Sequence, residues 1–297
     1  MELVFHDLKK NYGKKEVLKG IDFKVESGRP LAFLGRNGAG KSTTIKVMMG
    51  VISRDGGEIT LDGTPFSAKN FKIGYLPEER GMYQKVNILE QLIYFAELKG
   101  YNPEVAKRSS MDLLERVGLA DYAKKKLEVL SKGNQQKVQI AQSLLGDPEI
   151  IIMDEPFSGL DPINSDLLKD LILERAVKDK LMFFSSHQMG YVDEICTDLA
   201  ILNEGVVVVN ESIDKLKREL AGNNVFITPF ESSVEDLKSA LEARDFDASL
   251  REDKVVVDLT NRTQDELMSE LAGLNIKIDS YGVLKPTLSD IFINYAR

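Results

Sequence analysis

The stretch Gly35-Arg36-Asn37-Gly38-Ala39-Gly40-Lys41-Ser42, followed by Thr43, fits the phosphate-loop pattern G-x-x-x-x-G-K-[ST] at every fixed position, and it constrains the fold more than any other feature. Its context supports the match. Pro30-Leu31-Ala32-Phe33-Leu34 reads as a short buried strand, and Ser42 to Met49, closed by Gly50, reads as a helix. The chemistry asks for these residue types. Glycines let successive backbone N–H groups turn inward as an anion nest, Lys41 reaches the β- and γ-phosphates, and Ser42 offers its hydroxyl to Mg²⁺. The helix aims its N-terminus at the same phosphates. The competing reading, a glycine-rich turn with a chance lysine, does not account for strand, loop and helix in order.

A second strong signal lies downstream. Ile150-Ile151-Ile152-Met153 is a continuous apolar run of the kind a central parallel strand shows, and it ends in Asp154-Glu155-Pro156. Ligands of open α/β sheets bind at strand C-termini, so Asp154 is placed to hold a metal's water shell and Glu155 to deprotonate a water for attack on the γ-phosphate. Between the two motifs the texture changes. Residues from about 88 to 130 are charged and helical, with Leu89, Leu92, Ile93, Phe95 and Ala96 at helix spacing, and this insert ends in Leu130-Ser131-Lys132-Gly133-Asn134-Gln135. That turn opens a helix whose apolar face is Val138, Ala141, Leu144 and Leu145, and read alone it is a polar cap on a core helix.

The chain before the loop alternates as two strands, Leu3 to Leu8 and Ile21 to Val25, joined around Tyr12-Gly13 into an antiparallel hairpin. Tyr12 sits among four lysines, where its ring can stack on a base or simply face solvent. Gly57 to Gly63 and Lys72 to Pro77 read as further strands. The balance of 39 Lys+Arg against 47 Asp+Glu, a formal charge of −8, argues against nucleic acid as the main partner. The single cysteine, Cys196, excludes an internal disulfide framework and reads as a small buried residue on a helix. No apolar run reaches the length of a membrane span and the N-terminus lacks signal-peptide character, so the expectation is a cytoplasmic chain whose membrane part lies in another polypeptide.

Taken together, the phosphate loop, the helical insert, the Leu-Ser-x-Gly turn, Asp154-Glu155, Ser158-Gly159-Leu160-Asp161 and then His187 after the strand Leu181 to Ser186 resemble the ATP-binding cassette (ABC) ATPases over residues 1 to about 220. The resemblance implies a P-loop α/β cassette with a mixed-sheet core, an antiparallel β subdomain and the helical insert. It also implies roles: Tyr12 stacks on adenine, Gly35 to Thr43 bind the phosphates, Asp154 stands on the metal side, and Glu155 is the catalytic base. His187 would contact the γ-phosphate. In the family two cassettes sandwich two nucleotides head to tail, so Ser131, Lys132, Gly133, Asn134 and Gln135 would complete the partner's site, and Asp161 would link the two sites. ATP and Mg²⁺ are the implied cofactors. A second cassette, identical or different, and separate transmembrane subunits are the implied partners, which would hold the chain at the cytoplasmic face of the membrane.

The chain departs from the family pattern in two places. Glu78, after Tyr75-Leu76-Pro77, replaces the usual metal-reaching glutamine; a carboxylate remains a good magnesium ligand but adds negative charge beside a triphosphate. Lys132 and Asn134 replace glycine and glutamine of the usual Leu-Ser-Gly-Gly-Gln. Both variants, with Leu76-Pro77-Glu78-Glu79-Arg80-Gly81, resemble a bacterial exporter branch linked to sodium and drug efflux.

Val206 to Val209 and a helix from Ser212 to Leu220 close the first domain, expected over residues 1–222, and Ala221 to Asn224 read as a linker. The rest, 223–297, follows a β-α-β-β-α-β order: strands at Val225–Ile227, Ala248–Leu250, Val255–Val257 and Ile276–Ile278, and helices at Ser233–Ala243 and Gln264–Leu271. That is a small ferredoxin-like α+β domain, with a last helix from Leu288 to Tyr295. It leaves regulation, dimer contact and packing on the cassette open. The overall expectation is the ATP-hydrolysing subunit of a membrane exporter. One alternative is a soluble ABC ATPase of repair, chromosome or ribosome work, which long coiled coils or two cassettes on one chain would have favoured. Another is a soluble ABC ATPase with a non-transport regulatory or assembly role, whose discriminator is turnover, which an intact Glu155 predicts.

Overall fold

The N-terminal alternation folds into two long antiparallel strands, Glu2–Tyr12 (β1) and Lys15–Glu26 (β2), in a computed structural model that describes residues 1–79, 81–175, 179–274 and 276–295. The buried strand ahead of the phosphate loop is Leu31–Gly35 (β3), and the helix after it is Lys41–Met48 (α1). Gly56–Leu61 (β4), Thr64–Pro65 (β5) and Ile73–Leu76 (β6) follow. The insert consists of Ile88–Leu98 (α2) and Pro103–Arg116 (α3), two short 3₁₀ turns at 120–122 and 127–129, and then Lys132–Leu144 (α4). Asn102 accepts from the Val105 amide and Pro103 stands at N1, the sequence signature of a helix start.

Beyond them come Ile150–Asp154 (β7), Pro162–Arg175 (α5), Leu181–Ser185 (β8), Met189–Ile195 (α6), Asp198–Asn203 (β9), Val206–Ser212 (β10) and Ile213–Ala221 (α7). The last part of the chain holds Asn224–Pro229 (β11), Val234–Glu242 (α8), Asp247–Arg251 (β12), Lys254–Asp258 (β13), Gln264–Gly273 (α9), Ile278–Val283 (β14) and Leu288–Tyr295 (α10). The chain divides into two compact units: Met1–Ile213 together with the residues from Phe292 onward, and Asp214–Ile291.

The first unit contains two sheets. One is antiparallel, in the order β2-β1-β4-β5. The other has the order β10-β9-β3-β8-β7-β6, parallel from β9 to β6, with β10 antiparallel at the edge. Every residue of β3, β7 and β8 is buried, which is why these strands read as unbroken apolar runs rather than alternating ones. One core joins the two sheets. The Phe5 and Phe23 rings stack at 4.1 Å, Phe23 stacks on Phe33 at 5.2 Å, and Phe183 meets Phe5 edge-on at 6.2 Å, all among buried aliphatics of β1, β2, β3 and β8.

The second unit has the sheet order β12-β13-β11-β14, antiparallel throughout, which with α8 and α9 completes the β-α-β-β-α-β arrangement. Val225, Ile227, Val255 and Val257 on the sheet pack against Leu237, Leu241, Leu267 and Leu271 on the helices. One strand sits elsewhere than the sequence predicts. The Ile276-Lys277-Ile278 alternation suggests the fourth strand, but β14 begins at Ile278 and runs to Val283. Its pairing with β11 decides the segment: Gly282 lies opposite Phe226, whose ring atom is 2.9 Å from where a Cβ would stand. A second correction concerns Cys196. It is buried as expected, but it lies at the C-cap of α6 with extended backbone rather than within a helix, and burial pushes its thiol pKa well up.

Candidate functional site

Three neighbouring strands, β3, β8 and β7, end at the same edge of the parallel sheet, and each hands over to a chemically charged segment. The phosphate loop leaves β3, Asp154-Glu155 closes β7, and Ser186-His187 follows β8. A cavity of about 390 Å³ lies where they meet, and Arg36, Asn37, Gly38, Gly40, Lys41, Ser42 and Thr43 form much of its wall. Glu78, Asp154, Glu155 and His187 line it as well. So do Lys15 and Val17 of β2, which the sequence did not single out; Lys15 stood only as one of four lysines around Tyr12.

The loop's geometry follows from close packing. Gly35 lies against β9, where an added Cβ would come within 2.4 Å of the Leu202 carbonyl oxygen. Gly40 caps α1 in a left-handed conformation, φ +118°, so the helix starts at Lys41 with its free amides directed at the cavity. The Lys41 ammonium donates to the Gly35 carbonyl at 2.6 Å. Burial holds its pKa below the ordinary lysine value, with Asp154, Glu155 and Glu78 pulling the other way. A desolvated ammonium of this kind gains most from a polyphosphate, which supplies the negative charge that the protein's own carboxylates only partly provide.

Glu155 is the strained member. Its backbone takes φ +49°, a conformation that costs a non-glycine residue about 1–3 kcal/mol, and its amide is anchored to the Ser185 carbonyl at 2.9 Å. The Ser186 hydroxyl donates to its carboxylate at 3.2 Å, and His187 Nε2 lies 3.6 Å from the other carboxylate oxygen. Burial pushes the Glu155 pKa up, against the opposing pull of His187 and Ser186. A carboxyl with a raised pKa beside a phosphate cavity is suited to accepting a proton. Asp154 is 5% exposed and takes a short hydrogen bond from the Ser185 hydroxyl. The Ser42 hydroxyl and the carboxylates of Asp154 and Glu78 are hard oxygen donors of the kind magnesium takes. Among the described residues no group of three or more His, Cys, Asp or Glu side chains is placed to hold a metal ion.

Other predicted residues lie apart from this cavity. Tyr12 is about half exposed, with the Lys10 ammonium 5.8 Å from its ring centre, and it does not line the wall. Ser131 is the N-cap of α4, accepting from the Asn134 amide at 3.3 Å, and Lys132 and Gly133 form the helix's first turn with Asn134. Gln135 is buried and donates to the Leu130 carbonyl at 3.0 Å. Asp161 accepts from the Asn164 amide at 2.9 Å, capping α5, and these bonds hold its carboxyl below the usual range. None of these three segments lines this chain's own phosphate cavity. Arg80 lies outside the described residues. Two polar residues the sequence did not single out reach the catalytic segment: Ser186, and Gln136, whose bonds run to residues about twenty positions away.

Two family models match the chain. The model described as ABC transporter covers residues 18–158, and that described as ATP-binding protein DrrA1-3-like, C-terminal domain, covers residues 212–296. Among characterised and uncharacterised relatives, the uncharacterized ABC transporter ATP-binding protein YhaQ of Bacillus subtilis (strain 168) is 38% identical over 98% of this chain and 97% of its own. The linearmycin resistance ATP-binding protein LnrL of the same organism is 29% identical over 97% of this chain and 96% of its own. A solved structure of an ATP-binding subunit of an ABC transporter superposes with a TM-score of 0.67 at 30% identity, over 74% of this chain and 93% of that one. Subunits of this kind dimerise and work with transmembrane subunits. No helix among the described residues is long and apolar enough to cross a membrane. With the phosphate loop, the Asp154-Glu155 strand end and His187 gathered on one sheet edge, and with relatives matching nearly end to end, the chain belongs to the ATP-binding, ATP-hydrolysing subunits of ABC transporters.

Proposed function

We propose that this chain powers an exporter, hydrolysing ATP at the cytoplasmic face of the membrane as a head-to-tail dimer beneath separate transmembrane subunits. One observation carries the catalytic part of the reading: Lys41, Ser42, Asp154, Glu155 and His187 line a single cavity whose size suits the phosphate end of a nucleotide. The name of LnrL, a resistance protein, supports the export direction.

In this reading Lys41 and the amides of residues 36–43 bind and orient the phosphates, and Tyr12 stacks on the adenine. Ser42, Asp154 and Glu78 hold Mg²⁺, which when bound offsets charge on the phosphate oxygens. Glu155, its carboxylate steadied by Ser186, accepts the proton of the attacking water, and His187 contacts the γ-phosphate. Ser131 and the residues to Gln135 serve the nucleotide of the second cassette, and Asp161 connects the two sites.

The test is Glu155→Gln, which removes the proton acceptor while nearly preserving shape. Loss of a general base costs on the order of 10²–10⁴ in rate, so hydrolysis should collapse while ATP binding survives. With turnover blocked, Mg²⁺ and ATP should shift the purified variant from monomer toward dimer in gel filtration. Parent-like hydrolysis would falsify the assignment of the base; collapse without an ATP-dependent dimer would overturn the head-to-tail arrangement and leave the base standing.

A further inference from the structure

The Gln136 side chain is buried, 7% exposed, at the start of the second turn of α4. Its Nε2 donates to the Pro156 carbonyl at 3.0 Å and lies 3.5 Å from the Glu155 carbonyl. Those two carbonyls belong to the turn that carries the left-handed Glu155 backbone. The rest of that turn is held from other directions. The Glu155 amide is tied to β8 through Ser185, the Ser158 amide closes onto the Glu155 carbonyl at 3.1 Å, and the buried Phe157 ring packs on Tyr191 at 4.4 Å. Pro156 has no amide to donate, so its carbonyl is the group through which a side chain can pin the residue after Glu155.

A buried amide directed at two carbonyls beside a strained residue has a physical consequence. Without the donor, the Pro156 carbonyl loses the hydrogen bond that offsets its removal from water, and the turn is free to relax toward an ordinary backbone conformation. Such relaxation swings the Glu155 Cα–Cβ direction, and with it the carboxylate, away from Ser186 and His187. The geometry points to Gln136 as a positioning residue for hydrolysis: it holds the Glu155-Pro156 turn so that the Glu155 carboxylate faces the phosphate cavity. The inference rests on the reading of Glu155 as the base. It adds a link as well, because Ser131 caps α4 and Gln136 stands little more than one turn along it. If the Ser131 turn serves the partner's nucleotide, any shift of α4 on closing is felt at Glu155 through this amide.

The experiment compares Gln136→Met, similar in size but without a donor, with Gln136→His, whose Nε2–H has a similar reach. For purified protein, the Met variant should lose about tenfold or more in kcat with KM for ATP changed by less than about twofold, as expected for an interaction that acts on the chemical step. The His variant should recover most of the lost rate. In single-turnover measurements, adding Gln136→Met to Glu155→Gln should change the remaining rate by less than about twofold, because residues acting as one unit are not additive. Gln136→Leu, which also lacks any donor, gives a second donor-free variant should the Met protein not fold. Parent-like kcat in a folded donor-free variant would overturn the proposal, as would equal slowing by Met and His. A full further loss in the Glu155→Gln background would assign Gln136 to a different step. None of these outcomes depends on the result for Glu155→Gln alone, where failure strikes the base assignment instead.

Discussion

The two units obey the same rules of folding but put their exceptions in different amounts. In the first, a parallel sheet gathers a desolvated Lys41, a Glu155 with strained backbone and raised pKa, and a buried Asp154 at one strand edge. In the second, α9 starts with a complete capping box in which Thr263 and Glu266 satisfy each other's amides. Its carboxylates Asp258 and Glu266 are held below their ordinary pKa by local hydrogen bonds at the surface. The difference teaches where function has been built. Groups held at a cost need a ligand to relieve them, and Lys41, Asp154 and Glu155 of the first unit converge on one cavity, whereas Asp258, Thr263 and Glu266 of the second are satisfied by local hydrogen bonds.

The contrast can be broken most severely at Lys41. Lys41→Ala removes the cation opposite the phosphates, and nucleotide binding should fall by about 100-fold or more, read by fluorescent-nucleotide titration, because charge-assisted bonds to phosphate are among the strong ones. Tight binding by the variant would mean that the cavity's chemistry is not organised around this ammonium. The corresponding change in the second unit is Leu267→Ala, at a fully buried position. It should cost about 2–5 kcal/mol, seen by calorimetry, while ATP affinity stays within about twofold of the parent. Loss of affinity along with stability would erase the distinction between a unit built around a ligand and one built around its own core.

The smallest effect sharpens the contrast through pH. Because burial raises the Glu155 pKa above 4.5, the folded state holds a proton there that the unfolded chain has already released, so this group's contribution to stability is lost as pH rises through the raised value. Glu155→Gln should therefore raise the nucleotide-free Tm at pH 7, and the gap from the parent should vanish below pH 4.5, where both folded and unfolded carboxyls are protonated. The acid limb of hydrolysis should likewise fall at a pH above the ordinary carboxylate value. A variant less stable than the parent at pH 7 would show that Glu155 is not held at a cost.

Much of this was legible before any coordinates. The phosphate loop and the Ile150 to Glu155 segment declare themselves because their chemistry is local: consecutive residues supply the nest, the cation and the strand-end carboxylates. The alternating hairpin and the insert helices were legible for the same reason, from periodicity. What escaped depends on distant neighbours. The fourth strand of the second unit was set by β11 and the Phe226 ring rather than by its own Ile276-Lys277-Ile278 pattern. Gln136 looks like one more polar residue after a helix cap until Pro156 is found beside it. The left-handed backbone of Glu155 is invisible in a sequence where no glycine marks it.

Gly35 carries a lesson for anyone who maps nucleotide sites by substitution. It is the first fixed residue of the phosphate loop, yet the atom that forbids a side chain there is the Leu202 carbonyl oxygen of the adjacent strand β9, 2.4 Å from a Cβ. Gly35→Ala would push two central strands apart before any phosphate arrived. A screen that scores only ATP binding would count it with Lys41, although the injury is to the sheet and would appear in nucleotide-free protein as a lowered Tm. Two residues six positions apart in one motif would then give the same phenotype by unrelated routes, and only a stability assay without ligand would separate a broken scaffold from a missing charge.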